Sequence, residues 1–228
     1  MNKRKFTKSA ILMIGSTAIM SIPGLVMAKE VNCLDGLKLK PIQFKKEVMG
    51  YVNKVPGKIT VVEFFWYGCS HCNDLQPYVR DWLKEKDGGV QVIRIPAVFN
   101  PQWGVGASFF YALHESGLFS EELHEKTFDA VHKSKSLNLS DAQSVKSFLA
   151  GNGVSFGDVQ KIGDLMKNQK VAKRVGAAAK ASNEYMIPGT PAMVIENKYL
   201  MTSTEAEGAK NLVNEVKNVV KALRLCKN

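Results

Sequence analysis

Residues Ile59 to Leu83 read ITVVEFFWYGCSHCNDLQPYVRDWL, and their pattern decides how the chain is organised. An apolar run from Ile59 to Tyr67, interrupted by Glu63, passes through Gly68 into Cys69-Ser70-His71-Cys72. Beyond it, Leu75, Tyr78, Val79, Trp82 and Leu83 recur at the spacing of an amphipathic helix. The two cysteines therefore fall where a strand hands over to a helix. The first turn of a helix offers unpaired N–H groups and the positive end of the macrodipole, so an anion is stabilised there. A thiol in that position loses its proton readily, and the thiolate is both nucleophile and leaving group in disulfide exchange. Three residues on, Cys72 can reach back to close an intramolecular disulfide. The stretch reads as a redox-active dithiol.

The flanking sequence completes an α/β pattern. Continuous rather than alternating apolarity over Ile59 to Trp66 suits a central strand covered on both faces. After Asp87-Gly88-Gly89, Val90 to Ile95 forms a second strand, and strand, helix, strand is a βαβ unit with a right-handed crossover. Upstream, residues 29–57 are weakly patterned, with an early edge strand or an approach segment expected within Lys40 to Lys46. From Asn100-Pro101 to about Asn183 only helix signals occur: Trp103 to Glu115, a helix capped by Ser120, and a capping box at Ser140-Asp141-Ala142-Gln143. Val159, Ile162 and Met166 mark a further helix, and Val171 to Ala181 another. Strand character returns after Ile187-Pro188-Gly189-Thr190-Pro191. Ala192 to Ile195 and Tyr199 to Thr202 make a hairpin, and Thr204-Glu205-Ala206-Glu207 opens a last helix as a capping box. His114, His124 and His132 fall on expected helix surfaces and receive no role, and Trp66 and Tyr67 read as packing residues.

Composition sets the compartment. Lys3, Arg4, Lys5 and Lys8 precede an uncharged stretch from Ser9 to Ala28 that ends in Val26-Met27-Ala28. A basic start, an apolar middle and a small-residue end describe a secretory signal peptide over residues 1–28, cleaved after Ala28, with a retained membrane anchor as the alternative. Removing the four basic residues lowers the formal charge from +10 to +6. The lysines are interleaved with acids rather than massed on one motif, so no nucleic-acid partner is expected. An exported chain lies where disulfides persist. Of its 4 cysteines, Cys33 and Cys226 stand near the two ends of the mature chain, and domain termini often lie close together. A structural disulfide between them is expected, with two separate thiols as the alternative.

The dithiol after a βαβ-type strand, the long helical insertion and the late Thr190-Pro191 before a hairpin together resemble the thioredoxin fold. More narrowly, they resemble the periplasmic thiol:disulfide oxidases of the DsbA family. The resemblance implies a thioredoxin-like domain in two parts, 29–99 and 185–228, with an all-helical domain, 100–184, inserted before the cis-proline hairpin. It implies Cys69 as the exposed nucleophile, Cys72 as its buried partner, and His71 as the histidine that stabilises the Cys69 thiolate. Glu63 matches a buried acid beneath the site, able to shuttle the Cys72 proton. Pro191 matches a cis-proline facing the disulfide, with Thr190 offering backbone groups to a substrate strand. Two positions depart from the commonest pattern: Ser70 stands where many members have proline, and Thr190 where many have valine. Both positions tune the potential of the dithiol.

Whatever stabilises the Cys69 thiolate favours the reduced protein and makes its disulfide the stronger oxidant. The expected activity is oxidation of dithiols in newly exported, unfolded polypeptides, without cofactor or metal, by a monomer. The resemblance implies reoxidation by a quinone-linked membrane partner of the DsbB type. A reductase or isomerase on the same fold is one rival. Only about thirty residues precede the main strand after the cleavage site, too few for the dimerisation domain of the isomerases. A soft-metal-binding or holdase protein using Cys69, His71 and Cys72 is a rival of another class.

Overall fold

Ile59–Phe65 forms strand β2, and every residue of it is buried, as an unbroken apolar run requires. The computed structural model describes residues 34, 36–37, 41–43, 52–85 and 88–227, all within a compact unit running from Cys33 to Asn228. The leader expected over residues 1–28, Cys33, and most of the early strand expected within Lys40 to Lys46 lie outside the described residues.

Around β2 the chain builds a five-stranded sheet. Its members are β1 (Ile42–Gln43), β2, β3 (Val90–Pro96), β4 (Ala192–Ile195) and β5 (Tyr199–Thr202), in the order β1-β5-β4-β2-β3. Strand β3 runs parallel to β2 and pairs Glu63 with Arg94; β4 runs antiparallel on the other side, with Glu63 opposite Met193. Helix α1 (Ser70–Lys84) makes the crossover from β2 to β3. Between β3 and β4 the chain forms five helices: α2 (Pro101–Ser116), α3 (Glu121–His132), α4 (Ala142–Gly151), α5 (Phe156–Leu165) and α6 (Gln169–Glu184). Helix α7 (Ala209–Lys227) follows the hairpin.

The period-two alternation of strands divides the core in two. On one face Ile59, Val61, Met193, Ile195 and Met201 pack with Leu75, Val79 and Trp82 of α1 and with Leu212, Val216 and Val219 of α7. On the other, Val62, Phe64, Ala192 and Val194 pack with Phe109, Phe110, Phe128, Leu149 and Ile162 of the inserted helices. The sheet is thus covered by α1 and α7 on one side and the helical insertion on the other. This arrangement is the thioredoxin fold with an all-helical segment before its hairpin.

Two local expectations are corrected. The cap of α4 is Asp141, which accepts from the Ser144 amide at 2.8 Å, rather than Ser140. The last helix begins at Ala209, not at Thr204. Glu205 instead turns back to Thr202, taking its amide at 3.1 Å and its hydroxyl at 2.7 Å. The Thr202 Oγ1 in turn lies 3.4 Å from the Glu205 amide. The reciprocal pair that the sequence offered at Thr204 therefore forms two residues earlier, and Glu207 and Gly208 at positive φ interrupt the chain before α7 starts.

Candidate active site

Cys69 is the N-cap of α1, extended at φ −92° and ψ 116°, and its side chain makes no capping bond. Its carbonyl accepts the amides of Cys72 at 3.1 Å and Asn73 at 3.2 Å, which leaves the sulfur at the open end of the helix. The sulfur is half-buried. Its pKa is lowered from the ordinary value near 9 to about 5. The largest cause is a hydrogen bond from the Cys72 thiol, followed by Thr190 and the backbone amides of Cys72 and His71, against the opposing cost of burial. Cys72 is fully buried, and burial first, then the neighbouring Cys69 sulfur, hold its thiol well above the ordinary range. Both cysteines are free thiols here. Two sulfurs that share one proton have been given opposite tendencies by position alone.

Facing them is the turn before β4. The Thr190-Pro191 peptide is cis, the Thr190 carbonyl lies 3.2 Å from the Cys69 sulfur, and Thr190 acts to lower the pKa of both thiols. Beneath the pair, Glu63 is wholly buried. Its Oε1 accepts from Gln76 Nε2 at 3.0 Å, and the same amide group donates to the Cys72 carbonyl at 3.1 Å. Its Oε2 lies 3.0 Å from Nε of Arg94, whose side chain is only 6% exposed and also reaches Glu121 at 2.6 Å. Burial of this guanidinium opposes its charge, yet Glu63 and Glu121 together raise its pKa.

A family model described as thioredoxin matches residues 55–215. The thiol:disulfide interchange protein DsbA of Burkholderia cepacia is 34% identical over 148 residues, covering 65% of this chain and 68% of that protein. The DsbA of Pseudomonas aeruginosa is 33% identical over 153 residues, covering 67% of this chain and 70% of that protein. The crystal structure of P. aeruginosa DsbA superimposes with a TM-score of 0.72 at 28% identity, covering 83% of this chain and 94% of that one. The chain belongs to the DsbA family. Its chemistry is that of a thiol:disulfide oxidoreductase.

Against the DsbA pattern, the expected residues take up distinct places. Cys69, Cys72, Thr190 and Pro191 converge, and Glu63 sits one layer below, joined to the Cys72 backbone through Gln76. His71 contributes its backbone amide to the Cys69 sulfur, whereas its imidazole is 75% exposed with Nδ1 4.0 Å from Asp74. Gly68 is required as glycine, because a Cβ there would lie 2.3 Å from the Trp66 ring. Trp66 in turn stacks on Trp103 at 4.2 Å, and Phe99 packs against Trp103. Cys226 is disulfide-bonded; its expected partner Cys33 lies outside the described residues.

Other residues of the site escaped the sequence. Arg94 and Gln76 hold Glu63, and the signal for Arg94 was a charge inside a mostly apolar strand. His124, expected on a helix surface, is fully buried, with Nδ1 2.8 Å from the Tyr67 hydroxyl and Phe65, Phe110 and Phe128 edge-on around it. The expectation failed because α3 turns that face onto β2 rather than to solvent. His132 is partly buried, with Nε2 2.8 Å from the Tyr67 carbonyl oxygen.

Proposed function

We propose that this protein is a thiol:disulfide oxidase that introduces disulfide bonds into exported polypeptides through Cys69 and Cys72. The single observation that carries the direction of reaction is the contrast between the two sulfurs, Cys69 near 5 and Cys72 well above its ordinary range. A sulfur that is comfortable as a thiolate is a good leaving group, and its disulfide is readily reduced.

In the oxidised protein a substrate thiolate attacks Cys69 Sγ. A substrate–Cys69 bond forms, the Cys69–Cys72 bond breaks, and Cys72 leaves as a thiolate that takes up a proton. That proton comes from solvent, and Glu63, a carboxylate held beneath the site by Gln76 and Arg94, is assigned its relay. A second substrate thiolate then attacks the substrate sulfur of the mixed disulfide and expels Cys69 as the stabilised thiolate. The substrate has lost two electrons and two protons; the dithiol has gained both electrons. The Cys72 thiol donates to the departing Cys69 sulfur, as do the amides at the helix start, so charge develops where donors already point. Thr190 and Pro191 hold the substrate as an extended strand, with backbone hydrogen bonds giving affinity without sequence demands. The His71 ring, exposed at the mouth, adds a cation or donor beside the thiolate when a substrate covers it.

The dithiol is then reoxidised by a partner of the quinone-linked DsbB type in the membrane. The division into thioredoxin-like parts 29–99 and 185–228 around a helical domain 100–184, a leader cleaved after Ala28, residence in the periplasm, action as a monomer and a clasp between Cys33 and Cys226 belong to the same reading. Trapping free thiols in cells tests it. An oxidase rests with Cys69 and Cys72 as a disulfide; recovery of both as free thiols from an oxidising compartment would turn the reading to a reductase.

A further inference from the structure

Tyr67, two residues before the nucleophile, is held at both ends by one helix of the insertion. Its hydroxyl meets His124 Nδ1 and its carbonyl oxygen meets His132 Nε2, each at 2.8 Å. A carbonyl oxygen only accepts, so His132 Nε2 carries a proton and donates. Thr127 acts to lower the pKa of the phenol, and its own hydroxyl donates to the Leu123 carbonyl at 2.7 Å. His124, Thr127 and His132 all belong to α3, and at these spacings they share the face that meets β2. Burial of the phenol holds it un-ionised, so the grip is made of neutral hydrogen bonds and survives salt.

The turn held in this way serves both sulfurs. The Cys69 amide donates to the Trp66 carbonyl at 3.0 Å, and the Trp66 backbone acts to lower the pKa of the Cys72 thiol. The next peptide group but one, Tyr67–Gly68, carries the Tyr67 carbonyl, to which His132 donates. Gly68 beyond it has no side chain to restrain the turn, and the Trp66 ring lies across it. A displacement of this turn therefore moves the Cys69 backbone at the helix start, which hydrogen-bonds to Trp66. Small misplacements of donors around a developing charge are costly because such bonds depend steeply on distance and angle.

We infer that His132 is a positioning residue for the redox dithiol. By anchoring the Tyr67 carbonyl it fixes the Trp66–Gly68 turn, and through that turn the helical insertion sets how strongly the Cys69 thiolate is stabilised. The inference rests on Cys69 being the attacked sulfur and the stabilised leaving group, as proposed above, and it gives the insertion a part in the chemistry beyond covering the sheet.

His132→Leu removes the donor and keeps the bulk, and His132→Gln restores an N–H of similar reach. For each, and for the wild type, the thiolate absorbance of the reduced full-length protein is followed against pH. Equilibrium with glutathione and the melting temperatures of the oxidised and reduced forms are measured alongside. His132→Leu is expected to raise the thiolate midpoint by about one unit, which moves the glutathione equilibrium about tenfold toward the oxidised protein. It should also lower the melting temperature of the reduced form more than that of the oxidised form, while His132→Gln stays close to wild type. Equal destabilisation of both redox forms, with the midpoint unmoved, would reduce His132 to a structural residue and overturn the inference. Should leucine prevent folding, His132→Asn, polar but too short to reach the carbonyl, is read by the same criteria. A wild-type protein whose thiol titrates near 9 would instead overturn the reading of Cys69, whatever residue 132 does.

Discussion

The Cys69 sulfur lies 3.2 Å from the carbonyl oxygen of Thr190, the residue joined to Pro191 by a cis peptide. That pairing has two meanings according to the proton. A neutral thiol donates to the carbonyl; a thiolate has nothing to donate and turns to the Cys72 thiol and the helix amides. In the reduced protein, loss of the proton thus leaves the Thr190 carbonyl without the thiol as its donor.

Cys69→Ser should abolish disulfide exchange without harming the fold. Serine is a favoured N-cap and Cys69 makes no capping bond, so the variant should fold, but above pH 5 it lacks the stability that the Cys69 thiolate gives the reduced protein. Oxidation of a model dithiol peptide and a thermal melt check both halves.

The stability of the reduced form should depend on pH in a definite direction. The Cys69 pKa is depressed in the folded protein, to about 5, so its contribution is complete above the unfolded thiol's pKa and is lost as pH falls through 5. Between pH 5 and about 9 the reduced form therefore gains stability on the oxidised form. Above that range Cys72 acts the other way, because unfolding lets its buried thiol ionise. Melting temperatures of both forms at pH 4, 6 and 8 should show the reduced form gaining at each step; a constant difference would contradict the assignment.

Removing the two halves of the buried ion pair should not cost the same. Arg94 keeps Glu121 when Glu63 is lost, whereas Glu63 keeps only Gln76 when Arg94 is lost. Arg94→Leu should therefore destabilise by about 3–5 kcal/mol and Glu63→Leu by less, with the double variant milder than Arg94→Leu alone. Denaturant melts of the three variants test the ordering.

Non-reducing peptide mapping should recover Cys226 linked to Cys33, while alkylation of the reduced active-site pair labels Cys69 and Cys72 alone. Cys226→Ser should lower the melting temperature by an amount set by a loop spanning nearly the whole domain, a few kcal/mol by chain entropy, and leave exchange rates unchanged. Loss of activity in that variant would tie the clasp to the chemistry.

Much of this architecture is written locally. The strand–turn–helix around Cys69, the helical insertion, the hairpin after Pro191 and the burial of Glu63 each leave a mark in periodicity or in a residue out of character with its neighbours. What stayed hidden depends on which faces meet. Arg94 meets Glu63 only through the parallel register of β3, and His124 and His132 become partners of Tyr67 only when α3 lies against β2. A helical period places such residues on one face without saying what covers it. Thr204 misled for the opposite reason: its capping signal was genuine in type, but Thr202 offered Glu205 a competing bond.

The most direct test is the ultraviolet absorbance of the thiolate in the reduced protein as pH is raised from 3 to 10, with Cys69→Ser as the control. The account predicts a single ionisation centred near pH 5 in the wild type and none in that range in the variant. A midpoint near 9, or one near 5 that persists in Cys69→Ser, would contradict it.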